Sequence, residues 1–220
     1  MIRRYSTPEI TKIWADENRF RYWLRVEKAV ARAEEKLGII PGGLAKCLDK
    51  VSDVDPERVA EIEAVTEHEV TAFLQAVWEA VPCSKEYLHY GLTSYDVVDT
   101  AHSLRIKEAC GIIEKAVEEV NTVLNDLALR HKDTLALGRT HGRGAEPMSF
   151  GVRALSWYSE GLRILDEFRH TMNHAARGRI AGTVGTFTVL PSEVEEIALA
   201  ELGLEPEPVA TQVIPRDRHA

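Results

Sequence analysis

The chain has 220 residues, of which 45% are apolar and 28% charged, and this composition excludes disordered, collagen-like and low-complexity proteins. A formal net charge of -8 disfavours non-specific binding to nucleic acid, whereas a small anionic ligand needs only local positive charge. No apolar run reaches the roughly 18 residues of a membrane span, and the amino terminus lacks the apolar stretch of a secretory signal. We therefore expect a cytoplasmic globular protein without membrane or nucleic-acid partners.

The cysteines give no sign of a disulfide or metal framework. Cys47, Cys83 and Cys110 are an odd number and include no Cys-x-x-Cys pair. We expect all three side chains to pack as small apolar groups.

Short helices are predicted in the first 90 residues. Ser6-Thr7-Pro8-Glu9 has a capping hydroxyl, an early proline and an acidic residue, which is typical of a helix start. The amphipathic pattern then continues, with interruptions, to about Leu37. Asp55-Pro56-Glu57 opens another helix by the same logic, and a further one is predicted from about residue 67 to 82.

Two long helices are predicted in the second part of the chain. Apolar residues recur every three to five positions between 97 and 127, which predicts a helix over about 94–130 with a length of ~55 Å. A second long helix is predicted over about 147–176. The segment 134–145 between them is expected to be a short extended stretch leading into a polar turn. A short helix between Ser192 and Gly203 is followed by an extended tail.

The expected fold class is all-α. Residues 1–92 are expected to form a small N-terminal helical domain, and residues 93–220 to form the first long helices of an elongated helical bundle that is truncated at its C-terminus. The broad apolar stripes of the two long helices exceed what these helices can bury against each other. We therefore expect homo-oligomer formation or unusually exposed apolar stripes.

The strongest catalytic candidate is His141. The segment Gly138-Arg139-Thr140-His141-Gly142-Arg143 places an imidazole between a hydroxyl and two guanidinium groups. Because the ordinary pKa of histidine is about 6.5, this side chain both donates and accepts protons near neutrality. We interpret His141 as a general acid or base. The alternative is a polar turn whose histidine caps a helix or binds a carbonyl.

Other segments suggest anion binding. Thr93 and Ser94 precede the predicted long helix, where hydroxyls, free backbone N–H groups and the helix dipole favour a carboxylate or phosphate. The alternative is that Thr93 merely caps the helix. Arg4 and Tyr5 form a candidate phosphate clamp, or else a basic terminus that aids solubility.

Two further histidine groups carry weaker signals. His68 lies between Glu67 and Glu69, which could orient its imidazole, although an incidental histidine on a surface helix explains the same pattern. His170 and His174 are spaced like a metal pair, but no third ligand accompanies them. No metal site is predicted.

Taken together, five segments resemble the adenylosuccinate lyases of the bacterial and archaeal type, within the fumarase/aspartase superfamily. Each motif alone is modest, but five in order at compatible spacing are specific, and the resemblance spans all 220 residues. The segments are Arg4-Tyr5, Thr66–Val70, His89–Val97, Gly138–Gly142 and Thr211–Arg218.

The resemblance implies cleavage of adenylosuccinate to AMP and fumarate, and the same reaction on succinyl-aminoimidazole carboxamide ribotide in purine biosynthesis. The reaction is a β-elimination without metal or organic cofactor, in which a base removes a proton next to a carboxylate and an acid protonates the departing nitrogen. Carried over by motif, His141 is the general acid and His68 its catalytic neighbour. The implied substrate-binding residues are Arg4, Tyr5, Glu67, Glu69, His89, Thr93, Ser94, Thr140 and Gln212.

Within that implied site, Thr93 and Ser94 hold a succinyl carboxylate, while Arg4 and Tyr5 hold the phosphate of a small anionic nucleotide. The chain departs from the family at Glu69, where an aspartate is common. Family members also run to about twice this length, and their mobile serine-rich loop, which supplies the catalytic base, falls beyond the last residue here. They build each site from several subunits of a homotetramer.

We therefore expect the chain alone to be inactive. Two alternatives stay open, namely another fumarase-superfamily lyase with a different succinyl substrate, and a non-catalytic helical oligomerisation module.

Overall fold

The fold is built from helices joined by one hairpin and short extended segments. The computed structural model describes residues 2–219, without the side chain of Arg3. The α-helices are α1 (Pro8–Trp14), α2 (Asp16–Leu37), α3 (Leu44–Leu48), α4 (Pro56–Thr66), α5 (Glu69–Ala80), α6 (Ser94–Arg130), α7 (Phe150–Ala175) and α8 (Ser192–Leu202). The strands are β1 (Leu135–Thr140), β2 (Arg143–Ser149), β3 (Arg177–Gly178) and β4 (Glu205–Pro206). Short 3₁₀ helices cover Arg3–Tyr5, Pro82–Ser84 and Arg216–Arg218. The predicted all-α class is confirmed.

The chain divides into two compact units. The first comprises residues up to Ala109 and from His174 onward, and the second comprises Cys110–Asn173. Helices α6 and α7 each contribute residues to both units. This division into compact units does not test the domain boundary that the sequence predicts after residue 92. That boundary stays a prediction. Within residues 2–219, no helix has the length and apolar character needed to cross a membrane.

Helix ends follow the local signals in the sequence. At α1, the Thr7 hydroxyl accepts a hydrogen bond from the backbone N–H of Ile10 at 3.4 Å. At α4, the Asp55 carboxylate accepts the N–H of Glu57 at 3.0 Å. Gly38 follows the last residue of α2 as its C-cap. Its φ of 69° is left-handed, a conformation that favours glycine. These caps satisfy backbone groups that a helix leaves unpaired at its ends.

The core of the first unit centres on α2, which packs against α8. Phe20 and Trp23 of α2 meet Phe73 of α5, with ring centroids 5.4 to 5.9 Å apart. All three side chains are buried. This aromatic cluster therefore joins α2 to α5, the helix that begins beside His68.

Replacing Phe73 with alanine is expected to lower the free energy of unfolding by about 3–5 kcal/mol, because it leaves a cavity beside Phe20 and Trp23. Urea denaturation of the chain measures this change. The control is Val65→Ala, at an exposed side chain of α4, with an expected effect below about 0.5 kcal/mol. Equal effects of the two substitutions would contradict this description of the core.

Glu34 is a buried carboxyl group on α2, with 1% of its surface exposed. Its Oε1 has no hydrogen-bond partner among the described residues. Burial, reinforced by the charge of Glu27, raises the pKa of Glu34 to about 8, from an ordinary value of 4.5. Between these two pH values the folded state binds more protons than the unfolded state. The stability that this group contributes is therefore present below pH 4.5 and is lost as the pH rises through 8.

Glu34→Gln should consequently gain stability, relative to the unchanged chain, as the pH is raised from about 5 to about 8. The amide cannot ionise, so the variant escapes the cost of a buried carboxylate. Urea denaturation at the two pH values tests this expectation, with Glu17→Gln on the exposed face of the same helix as the control. A stability difference that is the same at both pH values would be evidence against the raised pKa.

Two of the three cysteines form a disulfide. Cys47 in α3 is bonded to Cys83 in the 3₁₀ helix Pro82–Ser84, with a Cα–Cα distance of 6.3 Å, whereas Cys110 is free. The expectation that all three pack as apolar thiols is therefore wrong for Cys47 and Cys83. They lie 36 residues apart in sequence, and only the packing of α3 against the 3₁₀ helix brings them together.

A β-hairpin occupies most of the segment predicted as a polar turn. Strands β1 and β2 pair antiparallel, with an irregularity between Leu137 and Arg139. The two turn residues, His141 and Gly142, have φ values of 52° and 74°. Positive φ at both positions suits the two-residue turns of hairpins. The predicted helix start near Pro147 is also wrong, because Pro147 lies in β2 and the helix begins at Phe150.

Glycine allows close approach of the helices within the second unit. A Cβ atom on Gly161 of α7 would come within 1.9 Å of Oδ1 of Asn121 on α6. The same two helices are tied by Arg169, whose guanidinium lies 2.5 Å from both the Glu114 and the Glu118 carboxylates. A larger residue at position 161 would therefore displace the side chain of Asn121.

Large apolar side chains on these two helices are exposed, as the sequence predicts. Their exposed fractions range from 44% to 65%. The residues are Ile113, Val120, Val123, Leu129, Val152, Leu155, Trp157, Leu162 and Ile164. Large exposed apolar patches on a protein surface are typical of association sites.

Candidate active site

Arg4 and Tyr5 lie together in the 3₁₀ helix Arg3–Tyr5. The guanidinium of Arg4 sits 4.8 Å from the centroid of the Tyr5 ring, and both side chains are exposed. A guanidinium and a phenol held side by side offer several hydrogen-bond donors to one anionic group. The geometry is compatible with the phosphate clamp expected from the sequence.

His68 forms the junction between α4 and α5. Glu67 ends α4 in a left-handed conformation with φ of 53°. His68 then caps α5, where its Nδ1 accepts the backbone N–H of Thr71 at 3.2 Å. Because Nδ1 accepts, the neutral ring carries its proton on Nε2, so an N–H donor remains on an exposed side chain. His68 is thus a helix cap and not an incidental surface histidine.

The Glu69 carboxylate is paired with Arg19 of α2 at 2.5 Å. Beside this pair lies a cavity of about 400 Å³. Its lining residues of the arginine, carboxylate and histidine types are Arg19, Glu69, Asp99, His102, Arg105, Arg216 and His219. Three arginines face two carboxylates there, and burial lowers the pKa of both histidines. The cavity therefore holds a net positive charge at neutral pH, which suits an anionic ligand.

His89 lies in the turn before α6, with φ of 65°. Its Nδ1 is 2.6 Å from Oε1 of Glu27, a buried residue of α2. Two residues later, Gly91 also has a positive φ, and a Cβ atom there would come within 2.6 Å of Leu190. The turn therefore requires glycine at position 91 and holds the imidazole of His89 against α2.

Thr93 and Ser94 lie at the start of α6 and are half-buried. The Thr93 N–H donates to Oδ2 of Asp96 at 2.9 Å, which is the contact that the acidic residue makes in a capping box. No described residue hydrogen-bonds to either hydroxyl. Both hydroxyls therefore remain available at the positive end of a 37-residue helix.

Asp96 fixes the neighbouring loop onto the start of α6. The buried guanidinium of Arg179 lies 2.6 Å from its Oδ1, and the N–H groups of Ala181 and Gly182 donate to the same carboxylate. Arg179 and Asp96 are both almost completely buried. This network determines where the segment after α7 crosses the amino end of α6.

Gln212 is exposed in the segment that follows β4. Asp99 of α6 holds this segment in place by accepting the N–H of Ile214 and the guanidinium of Arg216, both at 2.9 Å. Gln212 therefore sits two residues before an anchored position, on a segment tied to the same helix that begins at Ser94.

Thr140 and His141 belong to the second unit. Both are exposed, and His141 occupies the tip of the β1–β2 hairpin. Of the alternatives for this histidine, a helix cap is excluded, because it lies in a hairpin turn. The turn leaves the His141 side chain exposed to solvent.

No hydrogen bond or ion pair within the described part of the chain joins one of these expected site residues to another. The guanidinium of Arg4 contacts the ring of Tyr5. The other expected site residues lie on separate local structures, such as a helix cap, a turn, a helix start or a hairpin tip. No group of three or more His, Cys, Asp or Glu side chains among the described residues has the arrangement of a metal site.

Sequence reasoning missed Glu27 and Arg179. The sequence pattern of α2 could have indicated Glu27. Trp23, Glu27 and Val30 fall on one face of the helix, and Trp23 and Val30 are buried apolar residues. A carboxylate within an apolar stripe calls for a partner. Arg179 carried no such signal, since its partner Asp96 lies 83 residues earlier.

Comparison with known proteins agrees with the resemblance. The family model described as Lyase matches residues 3–220. The adenylosuccinate lyase of Thermotoga maritima is 44% identical over 220 residues, covering 100% of this chain and 51% of that protein. The adenylosuccinate lyase of Aquifex aeolicus is 45% identical over 223 residues, with the same two coverages. The chain thus spans about half the length of the curated relatives it matches.

Solved structures show the same fold. The crystal structure of a fumarate lyase from Mesorhizobium sp. BNC1 has a TM-score of 0.83 and 25% identity, covering 91% of this chain and 49% of that one. The 3-carboxy-cis,cis-muconate lactonizing enzyme from Pseudomonas putida has a TM-score of 0.82 and 25% identity, covering 97% and 51%. With the match of the family model over residues 3–220, these findings establish that the chain belongs to the lyase family.

Proposed function

We propose that this chain is the amino-terminal half of an adenylosuccinate lyase, which releases fumarate from adenylosuccinate and from succinyl-aminoimidazole carboxamide ribotide. The observation that carries the proposal is 44–45% identity over the whole chain to adenylosuccinate lyases, with all five motifs in order. The substrate is a small anionic nucleotide, and no cofactor takes part.

The start of α6 binds a succinyl carboxylate in this proposal. The hydroxyls of Thr93 and Ser94 have no partner among the described residues, and they lie at the positive end of a long helix. Arg4 and Tyr5 bind the phosphate through the paired guanidinium and phenol. One carboxylate and the phosphate of the substrate thus have local donors, although the chain carries a net charge of -8.

Proton transfer to the leaving nitrogen is assigned to His141. Its exposed position at the hairpin tip keeps the ring accessible to a ligand, and Thr140 precedes it as a hydroxyl donor. His68 is the neighbouring catalytic histidine, with its Nε2–H available because Nδ1 is engaged in the helix cap. The proposal completes the pocket with Glu67, Glu69, His89 and Gln212.

The proposed protein acts as a cytoplasmic homotetramer, with sites built from several subunits. The exposed apolar faces of α6 and α7 support association, because water contact with this much apolar surface is unfavourable. In the proposed domain organisation, residues 1–92 form the N-terminal domain and 93–220 the first part of the bundle. The chain alone is then inactive, since it spans only about half of the matching lyases.

A substrate panel tests the proposal. A full-length protein that carries this chain as its amino-terminal half is incubated separately with adenylosuccinate, argininosuccinate and fumarate, and fumarate formation or loss is followed by ultraviolet absorbance. Turnover of adenylosuccinate alone is expected. Preference for another succinyl compound indicates a different lyase of the superfamily, and no turnover by a folded oligomer indicates a non-catalytic module.

A further inference from the structure

One ring nitrogen of His89 is hydrogen-bonded to a buried carboxylate, whereas the other has no hydrogen-bond partner among the described residues. Its Nδ1 lies 2.6 Å from Oε1 of Glu27, which is 62 residues earlier in the chain. The Glu27 side chain is 2% exposed and that of His89 is 16% exposed. No described residue hydrogen-bonds to Nε2. The carboxylate therefore determines which way the ring faces.

The buried position of Glu27 is costly without a polar partner. Its helix face also carries Trp23 and Val30, which are buried apolar residues. Removing a carboxylate from water is unfavourable unless a charge or hydrogen bonds compensate for the lost hydration. The compensating contact seen for Glu27 is the imidazole of His89. An apolar residue would fill this face of α2 at less cost, so packing alone does not account for Glu27.

The backbone at His89 is also constrained. Its φ of 65° is uncommon for a residue other than glycine, and such conformations persist where the surrounding structure imposes them. Hydrogen bonds on either side fix the turn, from the Tyr90 N–H to the Tyr87 carbonyl at 3.2 Å and from the Leu92 N–H to the His89 carbonyl at 3.3 Å. Both the backbone and the buried carboxylate thus serve the orientation of one ring.

The surrounding charges favour the protonated ring. Burial acts to lower the pKa of His89, but the charge of Glu27, the hydrogen bond to it and the charge of Asp96 together raise the pKa above its ordinary value. Glu27 faces the ring from α2 and Asp96 from α6, where Asp96 is itself paired with Arg179. A protonated ring carries an N–H on Nε2 and a positive charge.

We infer that Glu27 is a positioning residue, which binds Nδ1 of His89 so that the Nε2–H of the ring donates to an anionic oxygen of the bound substrate. Glu27 does not touch the substrate. The inference rests on the proposed function, because that function makes His89 a substrate contact. It adds the residue that sets the orientation and charge of His89.

Nuclear magnetic resonance of the 220-residue chain with ¹⁵N-labelled histidine tests the pairing without reference to catalysis. We expect the titration midpoint of His89 to lie above about 6.5, with both ring nitrogens protonated at pH values below that midpoint. Glu27→Gln should move that midpoint downward, because burial then acts without the compensating charge. A midpoint at or below 6.5 in the unchanged chain overturns the inference, and this measurement is decisive even if the variant does not fold.

Glu34→Gln is the matched control for this titration. Glu34 lies on the same helix, is equally buried and makes no hydrogen bond to His89. Because its pKa is raised to about 8, it is largely uncharged at neutral pH. The midpoint of His89 should therefore stay where it is. A shift as large as that of Glu27→Gln would overturn the specific role of Glu27.

Steady-state kinetics of the full-length lyase test the consequence for the substrate. Glu27→Gln should raise KM for adenylosuccinate by about tenfold and change kcat by less than about threefold. Inhibition by AMP and by fumarate shows whether the phosphate or a carboxylate is the partner, since only the inhibitor with that group should bind less tightly. Unchanged KM and unchanged inhibition in an active enzyme overturn the inference. If the unchanged full-length protein does not turn over adenylosuccinate, the proposed function is overturned. The expected titration of His89 would still support the Glu27–His89 pairing in that case.

Discussion

Replacing His141 with asparagine in the full-length protein is expected to reduce kcat for adenylosuccinate by about 10²–10⁴-fold, because the proposed mechanism assigns protonation of the departing nitrogen to His141. Asparagine is preferred to alanine here. The residue has φ of 52°, a conformation that asparagine tolerates and that strains most other side chains. Loss of activity in this variant is then due to the missing imidazole and not to a distorted β1–β2 hairpin.

His141→Ala and His170→Ala complete this experiment. The first should be at least as inactive as the asparagine variant, whereas the second changes an exposed histidine on α7 outside the proposed machinery and should retain activity. Thermal melting of each protein checks that the fold survives. An active His141→Asn enzyme would refute the assignment of the general acid.

Replacing Asp96 with alanine is expected to lower the free energy of unfolding by about 3–5 kcal/mol. The substitution leaves the buried guanidinium of Arg179 without its charged partner and removes the acceptor of the Ala181 and Gly182 N–H groups. Unpaired buried charges and N–H groups carry most of this cost. Urea denaturation of the 220-residue chain measures the effect.

The control for Asp96 is Glu79→Ala, which breaks an exposed ion pair with Arg58 at 2.8 Å. Solvent-exposed pairs contribute little, so the expected change is below about 1 kcal/mol. If Asp96→Ala cost no more than Glu79→Ala, the loop after α7 could not depend on the Asp96 network.

The sequence predicted those elements whose signals are local. Thr7 and Asp55 cap helices because a polar side chain reaches backbone N–H groups two or three residues away, and that geometry needs no tertiary partner. The extent of α6 followed from apolar spacing in the same way. The hairpin escaped detection because its turn is His141-Gly142, which lacks the Asn-Gly or Asp-Gly pair that marks most such turns.

Contacts between distant residues could not be read from the sequence. Cys47 and Cys83 are joined through packing of their elements, and Arg179 meets Asp96 only after the chain has passed through α6, the hairpin and α7. The candidate site shows the same limit. Its members were found by motif resemblance, whereas Glu27 became visible only once α2 was seen against the turn at His89.

The most direct measurement compares fumarate release from adenylosuccinate by the 220-residue chain and by a full-length protein that contains it. We expect AMP and fumarate in equal amounts from the full-length protein, and no turnover by the chain alone, because the matching lyases are about twice its length. A folded full-length protein that leaves adenylosuccinate intact would contradict the proposed function. Comparable turnover by the isolated chain would contradict its description as an incomplete lyase.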